Sequence, residues 1–319
     1  MSNLIEKLKQ SESGIVLYSL TPPAQNISSE KLSDLNRRRT GRISTIEVDG
    51  LSIYDVQEEK ERNREKRTYQ YKPALDPIKY GESLNNHSDL PQIIYLASGK
   101  YREEELNSIF LNNPDKLFIL VGSPSKNTAV QTSLNRALEI SNVHDNPIGA
   151  VFMGERHKNG KSEVERMLSK IDRGVDFFIS QCIYNGSLYE KLLSDYKEES
   201  KLLDYPLKPL ILTFSPIGNR NSLEFLKWLG IEIPRDFILN LPESDDFLDY
   251  SVQYLEETGK RLIDYAIHKN IPIGINFESV IGRRAEVLAS LKLAENLIDY
   301  FFNNSTRYLK SGVSALSRR

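Results

Sequence analysis

The run Lys170-Ile-Asp-Arg-Gly-Val-Asp-Phe-Phe-Ile-Ser-Gln-Cys-Ile-Tyr184 decides the fold. It reads as the last turn of a helix, a turn at Gly174 and a mostly apolar strand over residues 175–179. A strand this apolar is buried on both faces, as parallel strands covered by helices are. It stops at Ser180 and Gln181, polar side chains at the carboxyl end of the strand, where α/β folds keep their chemistry. The plainer reading of Gln181 is an amide that caps a strand in a loop, and this stretch alone is compatible with either.

The same strand-and-helix unit recurs on both sides. Strands are expected at residues 15–20, 43–48, 91–97, 115–121, 148–152, 208–214 and 272–277, besides 175–179. Helices are expected at 1–10, at 30–39 behind a Ser28 or Ser29 cap, and at 98–111, 128–140, 162–173, 188–203, 234–239, 247–268 and 284–302. Another, capped by Asn221 or Ser222, runs to Leu229. The charge run 57–67 reads as a solvated helix, and 69–86 as a loop punctuated by Pro and Gly. Such alternation over about 290 residues predicts a single (β/α)8 TIM barrel. Its expected bounds are 1–302, with 303–319 as a flexible tail. A doubly wound open sheet would alternate too, but Thr21-Pro22-Pro23 stands where a glycine-rich phosphate loop would follow the first strand.

Composition narrows the function classes. The chain has 319 residues, with 42 Lys plus Arg against 44 Asp plus Glu, so no affinity for nucleic acid is expected. Its single cysteine, Cys182, excludes a disulfide scaffold and a multi-cysteine zinc site. A reducing, cytoplasmic setting is expected. Residues 1–10 are mixed in charge and are not expected to be a signal peptide, and no apolar run reaches the length of a membrane span.

In a barrel every strand delivers its carboxyl end to one mouth. The candidates there are Ser19 to Pro23, Glu47, Asp49, Gln92, Tyr95, Gly122, Ser123, Glu155, His157, Gln181, Asn219, Arg220, Glu278, Arg283 and Arg284. A lone His157 among carboxylates sets no metal-ligand spacing, so no metal is expected. Amides and carboxylates suit a heterocycle bearing N–H and C=O groups, and arginines suit a carboxylate or phosphate.

Several consecutive segments resemble the methylenetetrahydrofolate reductase family. They are Ile148-Gly-Ala-Val-Phe-Met-Gly-Glu-Arg-His157, the Lys170 to Gln181 run, Ser215-Pro-Ile-Gly-Asn-Arg-Asn-Ser-Leu-Glu-Phe-Leu226, Gly230-Ile-Glu-Ile-Pro234, Asn276-Phe277 and Arg284-Ala-Glu286. Each is weak alone, and their order carries the resemblance. It implies a folate-dependent one-carbon oxidoreductase that reduces 5,10-methylenetetrahydrofolate to 5-methyltetrahydrofolate with NAD(P)H through FAD. By the same resemblance Gln181 meets the pterin, and Arg284 and Asn219 lie on the substrate side. His157, Glu163, Lys170 and Ser123 fall on the cofactor side. Read without the resemblance, His157 is a loop histidine and Lys170 a solvated helix residue.

The departures are as informative. The family's first strand carries a Glu that activates the folate, and here Ser19 stands in that place. A serine hydroxyl is too weak an acid to replace it. Ser123 replaces an Asp beside the flavin, Gln92 a His and Met153 an aromatic. Three readings stay open. A compensating carboxylate exists, Glu47 first, with Glu155 and Glu278 behind it. The chain takes hydride directly from NAD(P)H. Or it is a divergent member that binds or converts another one-carbon pterin compound. The alternative from another class is a non-catalytic pterin-binding or partner-activating barrel, and a homo-oligomer is possible in each case.

Overall fold

The structure is a computed structural model that describes residues 3–58, 67–122, 129–157, 162–242 and 246–316. Strands β1 (Ile15–Leu20), β2 (Gly50–Ile53), β3 (Gln92–Ala97), β4 (Leu117–Val121), β5 (Ile148–Phe152), β6 (Val175–Cys182), β7 (Leu210–Phe214) and β8 (Ile273–Phe277) close into a barrel in sequence order. Every neighbouring pair is parallel, β8 to β1 included. Helix α1 (Asn3–Lys9) precedes the barrel. Helices α2 (Ser29–Ile43), α3 (Pro77–Leu84), α4 (Glu103–Asn112), α5 (Leu134–Ser141), α6 (Glu163–Ile171), α7 (Gly186–Leu202), α8 (Arg220–Trp228), α9 (Arg235–Leu239), α10 (Phe247–His268) and α11 (Arg284–Leu316) make the outer layer. The chain is a (β/α)8 TIM barrel. Among the described residues no helix is long and apolar enough to cross a membrane.

The period of two along each strand sorts side chains into two cores. Ile15, Leu17, Ile93, Tyr95, Leu117, Ile119, Phe177, Ile179 and Ile211 fill the barrel interior, and Leu4 and Leu8 of α1 join them from below. Their alternates, such as Val16, Tyr18, Ile94, Phe118, Phe178 and Leu212, pack against the helices. Phe177 fits inside because β5 offers Gly149 beside it: a Cβ there would stand 2.5 Å from the ring. Gly174, at φ +92°, makes the turn from α6 into β6 that its sequence predicts.

Four boundaries differ from expectation for identifiable reasons. Residues 43–48 are not a strand. Ile43 closes α2 and packs in the core, and β2 starts at Gly50, where a Cβ would meet the Pro91 carbonyl at 2.9 Å. Residues 77–84, expected as loop, form α3: Pro77 occupies the first turn and Asp76 caps it, its side chain accepting from the Lys79 amide at 3.0 Å. Strand β6 runs on through Gln181 to Cys182, with a register shift against β7 between Ile179 and Cys182. The last helix continues past 302 to Leu316. The expected helix over 57–67 falls largely outside the described residues.

Candidate functional site

At the carboxyl ends of the strands the inward positions change from apolar to polar. Ser19 of β1, Ser52 of β2, Asn276 of β8 and Thr213 of β7 follow the layer filled by Leu17 and Ile211. Ser19 and Ser52 share a short hydroxyl hydrogen bond. Ser19 Oγ donates to Asn276 Oδ1 at 2.9 Å, and Asn276 Nδ2 donates to Thr213 Oγ1 at 3.2 Å. Thr213 Oγ1 in turn donates to the Ser180 carbonyl at 2.9 Å. This belt crosses five adjacent strands, and each of its side chains is buried. Buried hydroxyls and amides persist only when paired, so the belt makes a rigid floor under the mouth.

Above the floor stands a carboxylic acid. Tyr18 of β1 is in register with Phe277 of β8, so the next step sets Ser19 beside Glu278, both on the inward face. Glu278 is 7% exposed and accepts a hydrogen bond from the Cys182 thiol at 2.6 Å. Tyr54, which follows β2, stands near enough to Glu278 for each to influence the other's ionisation. The Tyr54 and Tyr95 rings sit 4.7 Å apart at 48°. Burial pushes the Glu278 carboxyl above the usual carboxylate range, against the opposing hydrogen bonds from Cys182 and Tyr54. Burial and the nearby Glu278 also push the thiol of Cys182 well up, so it stays protonated.

Gln181 is half-buried beside this cluster, and its amide has no hydrogen-bond partner among the described residues. Glu155 follows β5 in a short 3₁₀ turn, where it accepts from the Tyr189 hydroxyl at 3.4 Å and the Glu232 amide at 3.3 Å. Asn219, not Asn221 or Ser222, caps α8, and its Oδ1 accepts from the Ser222 amide at 3.0 Å. Arg284 opens α11 and is exposed. Its neighbour Arg283 lies 5.8 Å over the Tyr69 ring, which meets Phe225 edge-on. Arg67 lies 5.1 Å over Trp228. The β2, β7 and β8 loops thus share a cationic and aromatic rim. The Glu286 carboxylate ties it together by accepting from the Gly218 amide and the Ser222 hydroxyl.

Other expected site residues lie elsewhere. Glu47 precedes β2 and is exposed at the amino-terminal end of the barrel, opposite the mouth. There it lines a cavity of about 510 Å³ with Lys7, Asp49 and His87. Its expected position followed from reading 43–48 as a strand. Asp49 is held at the same end by Lys7 and the Val16 amide. Gln92 opens β3 and points outward, donating to the Gly81 carbonyl and Asn85 Oδ1. Ser123 lies outside the described residues.

The cofactor-side candidates cluster around α6 but face protein. His157 Nε2 pairs with Asp195 of α7 at 2.7 Å. Glu163 is fully buried, and its Oε1 accepts from the Met153 amide. Lys170 Nζ donates to the Val151 carbonyl at 2.7 Å and lies 5.9 Å over the Phe178 ring, between helix and sheet. Burial lowers its pKa to about 8 and raises that of Glu163. As placed, these three side chains hold α6 and α7 against the barrel.

Reading the strand ends one residue at a time missed Tyr54, Ser52, Thr213 and Cys182. The signal available was parity: positions 15, 17 and 19 share a face, as do 274, 276 and 278.

A family model described as methylenetetrahydrofolate reductase matches residues 142–281. An uncharacterized protein from Clostridium thermocellum that binds two copies of 5-methyl-5,6,7,8-tetrahydrofolic acid has the same architecture, with a TM-score of 0.81 and 33% identity. The match covers 92% of this chain and 99% of that one. Dihydropteroate synthase from Thermus thermophilus scores 0.42 at 15% identity, covering 88% of this chain and 92% of its own, too low to carry an argument. Comparison with curated proteins gives no match.

Proposed function

The chain belongs to the methylenetetrahydrofolate reductase family, and from that premise we propose that it binds a reduced folate in the barrel mouth and acts on its one-carbon unit. The observation that carries this reading is the relative at 33% identity, matched over nearly its whole length, that binds 5-methyltetrahydrofolate. The mouth is chemically suited to such a ligand. The Gln181 amide, without a hydrogen-bond partner among the described residues, can meet the amide edge of a pterin, donor to acceptor and acceptor to donor. The rim arginines 283 and 284 suit the glutamate carboxylates of the folate.

Within this reading the favoured reaction is reduction of 5,10-methylenetetrahydrofolate with a reduced nicotinamide as hydride source. Direct transfer is preferred to transfer through FAD, because His157, Glu163 and Lys170 are engaged with Asp195, Met153 and Val151. The second reading, a barrel that binds a pterin without turnover, draws support from Ser19, a hydroxyl in a closed hydrogen-bonded belt.

Calorimetric titration with 5-methyltetrahydrofolate tests binding, and at least one site per chain is expected. Absence of binding at millimolar ligand overturns the reading. A visible spectrum before and after adding FAD, then NAD(P)H oxidation dependent on methylenetetrahydrofolate, separates the reactions. A bound flavin spectrum refutes direct transfer, and folate binding without oxidation favours the binding module.

A further inference from the structure

The chain after β2 does not stay beside its own strand. Arg67 and Tyr69 pack on α8 and on the start of α11, although β1 and β8 lie between β2 and β7 in the barrel. On its return the chain pairs with the loop after β1. The Gln25 amide donates to the Pro73 carbonyl at 3.0 Å, and the Leu75 amide donates to the Pro23 carbonyl at 2.8 Å. Residues 67–75 therefore strap together the β1, β7 and β8 sides of the mouth.

Tyr69 is the fixed point of this strap. Arg67, just before it, lies 5.4 Å over Phe225 and 5.1 Å over Trp228. The Tyr69 ring meets Phe225 edge-on at 5.4 Å. Its hydroxyl stands 3.4 Å from Ser222 Oγ, and that serine already donates its hydrogen to Glu286 Oε1 at 2.9 Å. Tyr69 is therefore the donor to Ser222. The same Glu286 oxygen accepts from the Gly218 amide at 3.0 Å, so Tyr69 is tied to the β7 loop. Over the face of this held ring stands the Arg283 guanidinium, 5.8 Å from the centroid and within cation–π range. Arg283 is exposed at the rim. A guanidinium held by a ring gives up none of its N–H donors.

We propose that Tyr69 is a positioning residue for the anionic tail of the ligand: it holds Arg283 against its ring, so that the guanidinium is in place before a tail carboxylate of the reduced folate arrives. The proposal rests on the folate reading above and deepens it, assigning the tail to the β2 and β8 side of the rim. A long side chain that is free in solution loses rotamer freedom when it clamps a carboxylate, and one already held by a ring loses less. The restraint therefore appears as affinity for the tail. The hydroxyl chain through Ser222 and Glu286 also sets Tyr69 against the loop that carries Asn219, which fixes the tail anchor relative to the mouth.

Calorimetric titration of the full chain with a pair of ligands tests this: 5-methyltetrahydrofolate, which bears the glutamate tail, and 6-methyltetrahydropterin, which lacks it. Tyr69→Leu should weaken the folate by about three- to tenfold and leave the affinity for the tail-less pterin unchanged. Arg283→Ala should show the same selectivity. Adding Tyr69→Leu to Arg283→Ala should bring no further loss, because Tyr69 acts through Arg283. This double variant decides by itself where the tail-less pterin is too weak to titrate. Emission from Trp228, the single tryptophan of the chain, shows whether Arg67 stays seated. Where Tyr69→Leu unseats it or does not fold, Tyr69→Phe keeps the ring and takes its place, with a smaller loss of the same selectivity expected. Equal losses for both ligands, additive losses in the double variant, or an unchanged folate affinity overturn the proposal while the folate reading stands. If 5-methyltetrahydrofolate does not bind the wild type, the folate reading itself fails and takes the proposal with it.

Discussion

Cys182 of β6 donates its thiol hydrogen to Glu278 Oε1 across 2.6 Å, joining two strand ends that β7 separates. The bond makes the thiol a structural donor and a poor nucleophile. Cys182→Ser keeps a donor in place and should leave the melting temperature nearly unchanged. Cys182→Ala removes it and should cost about 1–2 kcal/mol in urea unfolding. The wild-type thiol should resist alkylation until the chain unfolds, because burial holds it protonated.

Among the described residues the Gln181 amide, at the end of β6, has no hydrogen-bond partner. Gln181→Ala should weaken 5-methyltetrahydrofolate binding by about tenfold, corresponding to ~1.4 kcal/mol, with little change in stability. Calorimetry reads both affinity and stoichiometry. Unaltered affinity would remove Gln181 from the pterin site.

Asn276 bridges Ser19 and Thr213 in the belt. Asn276→Leu fills a similar volume but strips a partner from each hydroxyl. It should destabilise the barrel by about 2–3 kcal/mol, measured by chemical denaturation. A neutral result would mean that the belt is dispensable.

Lys170 gives a pH signature. Burial sets its folded pKa near 8, below its ordinary 10.5. Between those values the unfolded chain holds a proton that the folded chain lacks, so this group's contribution to stability rises with pH from about 8 to 10.5 and is unfavourable below. Unfolding free energies of the wild type and Lys170→Met, measured across that window, should diverge in favour of the wild type as pH rises. Parallel curves would show a lysine titrating normally.

Gly149 makes room for Phe177. Gly149→Ala forces a methyl into the ring at 2.5 Å and should cost about 1–3 kcal/mol. Gly149→Ala with Phe177→Leu should recover part of that loss, as a double-mutant cycle would show.

The barrel was legible because alternation of strands and helices is a local property of the chain. Residues 148–152 and 247–268 match their elements to the residue. Residues 43–48 misled because β-branched side chains serve the last turn of a helix as well as a strand: Ile43 packs inward from α2. Residues 77–84 were missed because Pro77 reads as a breaker, although at a helix start its missing N–H costs nothing.

The candidate site was legible only in part. Gln181 could be named from the end of its own strand, since that depends on where one apolar run stops. Glu47 and Glu278 could not be ranked, because both are glutamates near a strand. The three-dimensional fold puts them at opposite ends of the barrel, one in solvent and one enclosed by Cys182 and Tyr54.

The sequence by itself determined the barrel and, through its ordered motifs, the family, because hydrophobic period and strand spacing are written along the chain. Only the tertiary structure set Glu278 at the mouth and Glu47 at the opposite end, and gave the direction in which burial moves the Glu278 proton affinity. Proton affinity depends on enclosure and on neighbours from β1, β2, β3 and β6, and closing the sheet is what brings those distant segments around Glu278.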